Sequence, residues 1–316
     1  MPNTLAHIGV QGITTKSIFK FADLKWIYVG CIIPDLPWVL QRVLKITDLF
    51  NLYDVRDYCI ILASLFFCII LSGALSQFSS NSKRVFFILS FSSLFHLLLD
   101  PLQIKWANGT HLLAPFSWHL LSFDLFWPES LPTYIITIFG LFYFIFYYKK
   151  AVKEFSDLLI PSIKKILLLF SLLLIYFIVP LFMLNLPEQN NNHYVKTLRD
   201  YSLRQGKYIE LDRADFIHDS TGNYLKTFAH EKIKAANLNF KGEKLISIKG
   251  RFISPGEIYV EDYHIHSSFR DDASLVGISL TAILWLNCII LIRRKDSNGI
   301  VTQSVEPKNL IDILPP

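Results

Sequence analysis

His96 and Asp100 stand four residues apart in a run that is otherwise almost wholly apolar, "FHLLLDPL". At i and i+4 their side chains share one face of a helix. An aspartate at the middle of a membrane helix costs on the order of 2.5–3.5 kcal/mol on insertion scales, so such groups are usually paired or functional. Neutral imidazole and carboxylate are together a donor set for a divalent cation. The plainer alternative is a hydrogen-bonded His–Asp pair that ties helices together, and spacing alone divides the two readings evenly. Pro101 pushes Asp100 toward the end of its helix.

Further candidates surround this pair. Asp35 sits at the break "IIPDLP", where local backbone rather than a mobile arm holds its carboxylate. His7 lies in "LAHIG", with Gly9 and Gly12 permitting close packing. His111 follows the turn signal Asn108–Gly109–Thr110, and His119 ends "PFSWH". Asp23, Asp54, Asp57 and Asp124, taken singly, read as solvated or capping residues.

The order "AHIG", "GCIIPDLP", then "FHLLLDPL…NGTHLLAPFSW" resembles the LexA-regulated, membrane-bound metal-dependent hydrolase family, itself similar in pattern to zinc-dependent phospholipase C-like proteins. The resemblance covers roughly residues 1–130. It implies metal ligands at His7, Asp35, His96 and Asp100, with zinc as the expected ion. Gly30 and Pro34 would shape the Asp35 turn, and Gly109, His111 and the "LLAPFSW" stretch would line the site. One departure matters. Where the family carries His-Arg-x-x-Thr-His-Ser, this chain reads "YDVRDYCIILAS", so Arg56 matches the arginine and both histidines are missing. Asp54 or Asp57 could substitute as ligands. The expected catalytic roles are Asp57 (or Asp54) as general base and Arg56 as stabiliser of developing negative charge. The implied reaction is hydrolysis of a phosphoester or lipid-linked substrate at the outer face of a bacterial inner membrane. A degenerate, non-catalytic site that only displays an attached domain is the alternative. A proton or ion relay through His96 and Asp100 is a third reading, disfavoured by the lack of an internal repeat.

The elements that must position these residues are membrane helices. The 316 residues are 52% hydrophobic and 18% charged, too little charge to cover a soluble domain of this size. Mean hydropathy is +0.37. Five runs approach the roughly 20 residues a bilayer demands: 58–77, 85–102, 131–148, 163–186 and 274–292. Lys83 and Arg84, the lysines of 149–165, and Arg293–Arg294–Lys295 place three connections and the C-terminus in the cytoplasm by the positive-inside rule. Residues 103–130 and 187–273 are then extracytoplasmic. The stretch 24–44 is interrupted by Gly30, Pro34 and Pro37 and is expected as two short helices in a re-entrant or interfacial arrangement. A plain sixth span, which would put His7 inside and keep the four candidates apart, is the alternative.

Residues 187–273 change character. A polar start, expected to open with a helix, leads into four strand-like runs, "KYIELDRADF", "YLKTFAHEKIKAA", "EKLISIKGRFI" and "EIYVEDYHIHS". The expectation is a small extracytoplasmic β-rich domain, OB-like in type. The chain thus divides into a membrane-embedded hydrolase-like part at 1–186, this domain at 187–273, a last span at 274–292 and a disordered cytoplasmic tail at 293–316. His264 and His266 point to one strand face, but without a third ligand in view they read as surface histidines. Net charge is +5, with the basic residues beside apolar runs, so the expected partner is the lipid bilayer and not nucleic acid. The four cysteines have no CxxC spacing and read as buried thiols.

Overall fold

The computed structural model describes residues 3–47, 49–153, 158, 160–190, 193–220 and 222–297. The expected tail beyond residue 297 lies outside them. Two cores divide the chain, one in a helical bundle and one in a β-barrel placed just before the last helix.

The bundle begins with α1 (Thr4–Ile18), capped by Asn3, whose side-chain oxygen accepts from the Ala6 N–H. The chain reverses through 19–23, and Asp23 caps α2 (Leu24–Ile32) by accepting from the Lys25 N–H. A single 3₁₀ turn over Ile33–Asp35 joins α2 to α3 (Leu36–Leu44). Leu24–Leu44 is therefore one helical segment of 21 residues, long and apolar enough to cross a bilayer. The two short helices expected to meet at Pro34–Asp35 are thus α2 and α3, joined without a sharp reversal. Both prolines sit in first-turn positions, where a missing N–H costs little. The segment runs from the end of α7 (Leu131–Lys153), where Lys25 Nζ donates to Ala151 O at 2.7 Å, to the start of α11 (Phe269–Ser297), where Arg42 meets Asp271. Because the reversal precedes residue 24, α1 lies back alongside α2, and its first turn reaches the Thr137 turn of α7 and Ser274 of α11. His7 thus stays near the same end as Asp100 although 24–44 is long enough to cross.

The run 58–77 is also not one straight span. It falls into α4 (Leu52–Leu62) and α5 (Leu65–Ser76), which meet at 72°. At the bend Ser64 is extended, and the Leu65 N–H donates to Leu112 O of the long connection 103–130 at 3.2 Å. Helices α6 (Ser82–Leu99), α7, α8 (Ile163–Ile178) and α11 complete the bundle. Five helical segments are long and apolar enough to cross a bilayer, or six if the bent α4–α5 pair counts as one. Leu24–Leu44 joins that set, and 58–77 enters it only as the bent pair. Large apolar side chains such as Phe146, Phe170, Phe182 and Leu286 are exposed on the outside of α7, the α8 segment and α11, as a lipid-facing surface requires.

Two short helices, α9 (Leu186–Asn190) and α10 (His193–Arg199), lead into the barrel, as the polar start of the insert predicts. Its strands are β1 (Tyr208–Asp219), β2 (Gly222–Lys226), β3 (Lys232–Ala235), β4 (Lys244–Ser254) and β5 (Glu257–His266). They close in the order β1-β2-β3-β5-β4, with β3 and β5 parallel. The run "YLKTFAHEKIKAA" is two strands, because a tight turn with Thr227 N–H on Glu231 O reverses the chain. Inward residues such as Ile209, Phe216, Leu225, Ile246, Phe252 and Ile258 fill the barrel. Polar contacts dock it on the bundle: Arg199 on Asp54 at 2.9 Å, Glu210 Oε2 accepting from Ala107 N–H at 2.7 Å, and Asn108 Nδ2 donating to Asp212 at 3.3 Å.

Two predictions arise from this packing. A Cβ on Gly140 would lie 1.8 Å from Leu5 O, so α1 and α7 touch backbone to backbone there. Gly140→Leu should lower the thermal midpoint of the detergent-purified protein by an amount equal to about 1–3 kcal/mol or more, as overpacking does. At the barrel, burial disfavours the ionised Asp212, but the Arg270 charge and the Asn108 hydrogen bond outweigh it and hold the carboxyl below the usual range. A depressed carboxylate stabilises fully above its unfolded pKa of about 3.9 and loses that contribution as pH falls toward the folded value. Thermal midpoints of wild type and Asp212→Asn should therefore converge as pH is lowered from 7 to about 3.

Candidate metal centre

His7 of α1, Asp35 of the 3₁₀ turn, and His96 and Asp100 at the end of α6 meet inside the bundle. His7 Nε2 lies 3.3 Å from Asp100 Oδ1, and His96 Nε2 lies 3.4 Å from Asp35 Oδ1 and 3.6 Å from Asp100 Oδ1. The two imidazoles stack with centroids 3.8 Å apart and planes within 4°, which holds both Nε2 atoms on one side. All four ligands implied by the resemblance are thus brought together.

Local chemistry explains the placement. Pro34 has no N–H to give Gly30 O, and that carbonyl accepts from Ser93 Oγ of α6 at 3.3 Å. The neighbouring Cys31 O accepts from His96 Nδ1 at 2.6 Å. Cys31 O, near the end of α2, thus supplies the acceptor for His96 Nδ1 and turns Nε2 toward the two carboxylates. Gly30 lets α6 come this close, since a Cβ there would be 2.6 Å from Ser92 Cβ. His7 Nδ1 lies 3.1 Å from the Gln11 amide, whose other end accepts from Cys31 Sγ. The Gln11 side chain, itself held by Cys31, thus orients the His7 ring.

The donor set fits a divalent ion. His7 Nε2, Asp35 Oδ1, His96 Nε2 and Asp100 Oδ1 are all buried, and none makes a well-formed hydrogen bond among the described residues. Buried polar atoms are rarely left so, and a bound ion is one of the few explanations. Ligands about 2.0–2.1 Å from a tetrahedral zinc lie about 3.3–3.4 Å from one another, close to the spacings here. Of the four, His7, His96 and Asp100 have ligand atoms all within 4.8 Å of one another, while Asp35 approaches through His96.

Asp100 also faces outward. Its Oδ2 lies 3.6 Å from Lys105 Nζ, and it borders two cavities. The smaller, about 20 Å³, is shared with Pro34, Gly109 and His111. His111 donates Nδ1–H to Trp118 O at 3.0 Å, and burial pushes its pKa down to about 4, so its Nε2 is an acceptor at neutral pH. The larger, about 300 Å³, lies between bundle and barrel and is lined by cations of both, including Arg42, Lys45, Arg56, Lys105, Arg213 and Arg270. Arg56 stacks over Trp38 and Phe228 there. Asp57, the expected general base, is elsewhere. One residue on from Arg56 it projects from another side of α4, where Arg199 lies 3.6 Å away beside Glu188. Asp54 joins the same arginine, so neither aspartate replaces the missing histidines.

Sequence reasoning did not find Gln11, Lys105 or the barrel residues over the cavity. Gln11 had a signal, since it stands four residues after His7 on the same helix face. The barrel residues had none. His96→Ala and Asp100→Ala are expected to abolish tight zinc binding, and Gln11→Ala to weaken it about 10–100-fold, as loss of an orienting partner does. Competition with a chromophoric chelator measures each. The chain matches no family model, no curated protein and no solved structure, so its resemblance to the metal-dependent hydrolases stands on these residues alone.

Proposed function

We propose that this protein is a membrane-bound metal-dependent hydrolase whose site opens at the outer membrane surface toward a phosphoester or lipid-linked phosphate. One observation carries the reading. Four buried donor atoms without hydrogen bonds converge, and the carboxylate of one of them borders a cavity of about 300 Å³ rich in cations. A divalent ion, with zinc first in line for this donor set, would supply an acidified water and a polarised phosphoryl oxygen. His7, Asp35, His96 and Asp100 would hold it. Lys105 and Arg56 bind and orient the substrate's negative charge, Arg56 rigidly because two aromatic rings clamp it. His111 accepts a proton or a hydrogen bond through Nε2 at the smaller cavity.

The topology supports the same reading. The basic clusters around 83–84 and 149–165 lie at the end of the bundle away from the barrel, as Lys165 Nζ donating to Ser79 O illustrates. By the positive-inside rule that end is cytoplasmic, so barrel and site are extracytoplasmic. The barrel, OB-like in its five strands and their order, then serves as the wall of the cavity opposite the membrane.

The experiment is a phosphodiester and phosphomonoester screen with metal-loaded protein in detergent or vesicles. Asp35→Asn is expected to remove hydrolysis, and Arg56→Ala to lower kcat by about 10²–10³-fold with metal retained. Tight metal binding with no hydrolysis of any substrate, in the wild type, would favour the non-catalytic scaffold, a reading already motivated by the missing histidines.

A further inference from the structure

Strand β5 ends in His264 and His266, and the third group missing from the sequence pattern arrives from the bundle. Glu129, in the connection that leads into α7, places Oε2 at 3.2 Å from His264 Nε2 and Oε1 at 3.1 Å from His266 Nδ1. His266 is not the surface histidine expected, for its side chain is 1% exposed. We infer that Glu129, His264 and His266 form a second divalent-metal site, distinct from the bundle centre, that clamps the barrel onto the membrane helices.

Three features argue for an ion. The donor atoms of the three residues lie within 4.8 Å of one another, a His₂Glu set suited to zinc or a similar borderline cation. The orientation of His266 is set by its other partners. Ser247 Oγ lies 2.8 Å from His266 Nε2 and 3.1 Å from Asp212 Oδ1. With Nε2 engaged by Ser247, His266 Nδ1 is held 3.1–3.2 Å from both oxygens of Glu129, where a shared cation would bind all three donors. His264 is held in place too, stacked on Trp127 at 3.8 Å and 4°. Such support from orienting partners is characteristic of metal-bound histidines. Arg213 Nη1 is 3.7 Å from Glu129 Oε1, but its guanidinium is engaged by Asp271 at 2.7 Å, so Glu129 is not its main partner. With side-chain exposures of 25% for His264 and 12% for Glu129, the cluster has one open edge for a solvent ligand.

The competing reading is a protonated His266 simply ion-paired to Glu129. Zinc content of the full-length, detergent-purified protein, stripped with chelator and reloaded with zinc, separates the two. Wild type is expected to hold about two ions per chain, and Glu129→Gln or His264→Gln about one. His96→Ala should also hold about one, because it empties only the bundle centre. Zinc should raise the thermal midpoint of His96→Ala, and that rise should vanish when His264→Gln is added. His264→Gln is the informative variant because the residue is partly exposed, which protects folding. Wild-type zinc content in His264→Gln and Glu129→Gln would overturn the proposal. One ion in wild type that survives His96→Ala and is lost in His264→Gln would instead sustain the clamp while sinking the hydrolase reading.

Discussion

Two carboxylates and two imidazoles buried at the heart of an apolar bundle are the constraint on which the rest of the fold turns. Unpaired, each carboxylate would cost several kcal/mol to desolvate, and mutual contact of acceptors offers little relief. The surrounding architecture answers that cost. The Cys31 carbonyl at the end of α2 orients His96. The reversal at 19–23 brings His7 back to the level of Asp100. Gly30 and Gly140 let α6 and α7 approach closely enough to hold the set rigid. The ligand atoms of His7, His96 and Asp100 lie close enough together to hold a metal ion.

The barrel belongs to the same arrangement. It has its own apolar core, yet it does not hang free from the bundle. Arg199, Glu210, Asp212 and Arg213 all engage residues of the helical part, and three of the four lie around the cavities that adjoin Asp100 or its loop. A cluster of His264, His266 and Glu129 adds a further seam between the two parts. Inserting this domain between α8 and α11 fixes both of its ends to helices, which limits how far it can swing.

What was legible in the sequence follows from contrast. Polar residues in apolar runs announce themselves, so His7, Asp35, His96 and Asp100 could be picked out before any coordinates. The β-rich insert announced itself through period-two alternation. Features set by distant partners were silent. Nothing in "YCIILASLFFCII" marks the 72° bend, because the Leu112 carbonyl that supports it comes from far along the chain. Pro34 and Pro37 mark the junction of α2 and α3, but nothing local shows that one 3₁₀ turn joins these helices into a continuous segment of 21 residues. Asp57 was assigned because it falls where the resembled family carries its histidines, but one helical step of about 100° turns it away from Arg56 and toward Arg199. Glu129 carries no local sign of its pairing with a strand more than a hundred residues away.

The barrel's position over the cation-lined cavity has a consequence for dielectric screening. Two unit charges 4 Å apart interact by about 1 kcal/mol in bulk water but by about 4 kcal/mol at an effective dielectric constant of 20. A cavity walled by Phe228 and Leu245 above and Trp38 below lies toward the second regime. The same lysines and arginines on an open membrane surface would discriminate weakly between one anion and another. Under a protein roof, each charge on a ligand counts several times more, and ionic strength counts for less.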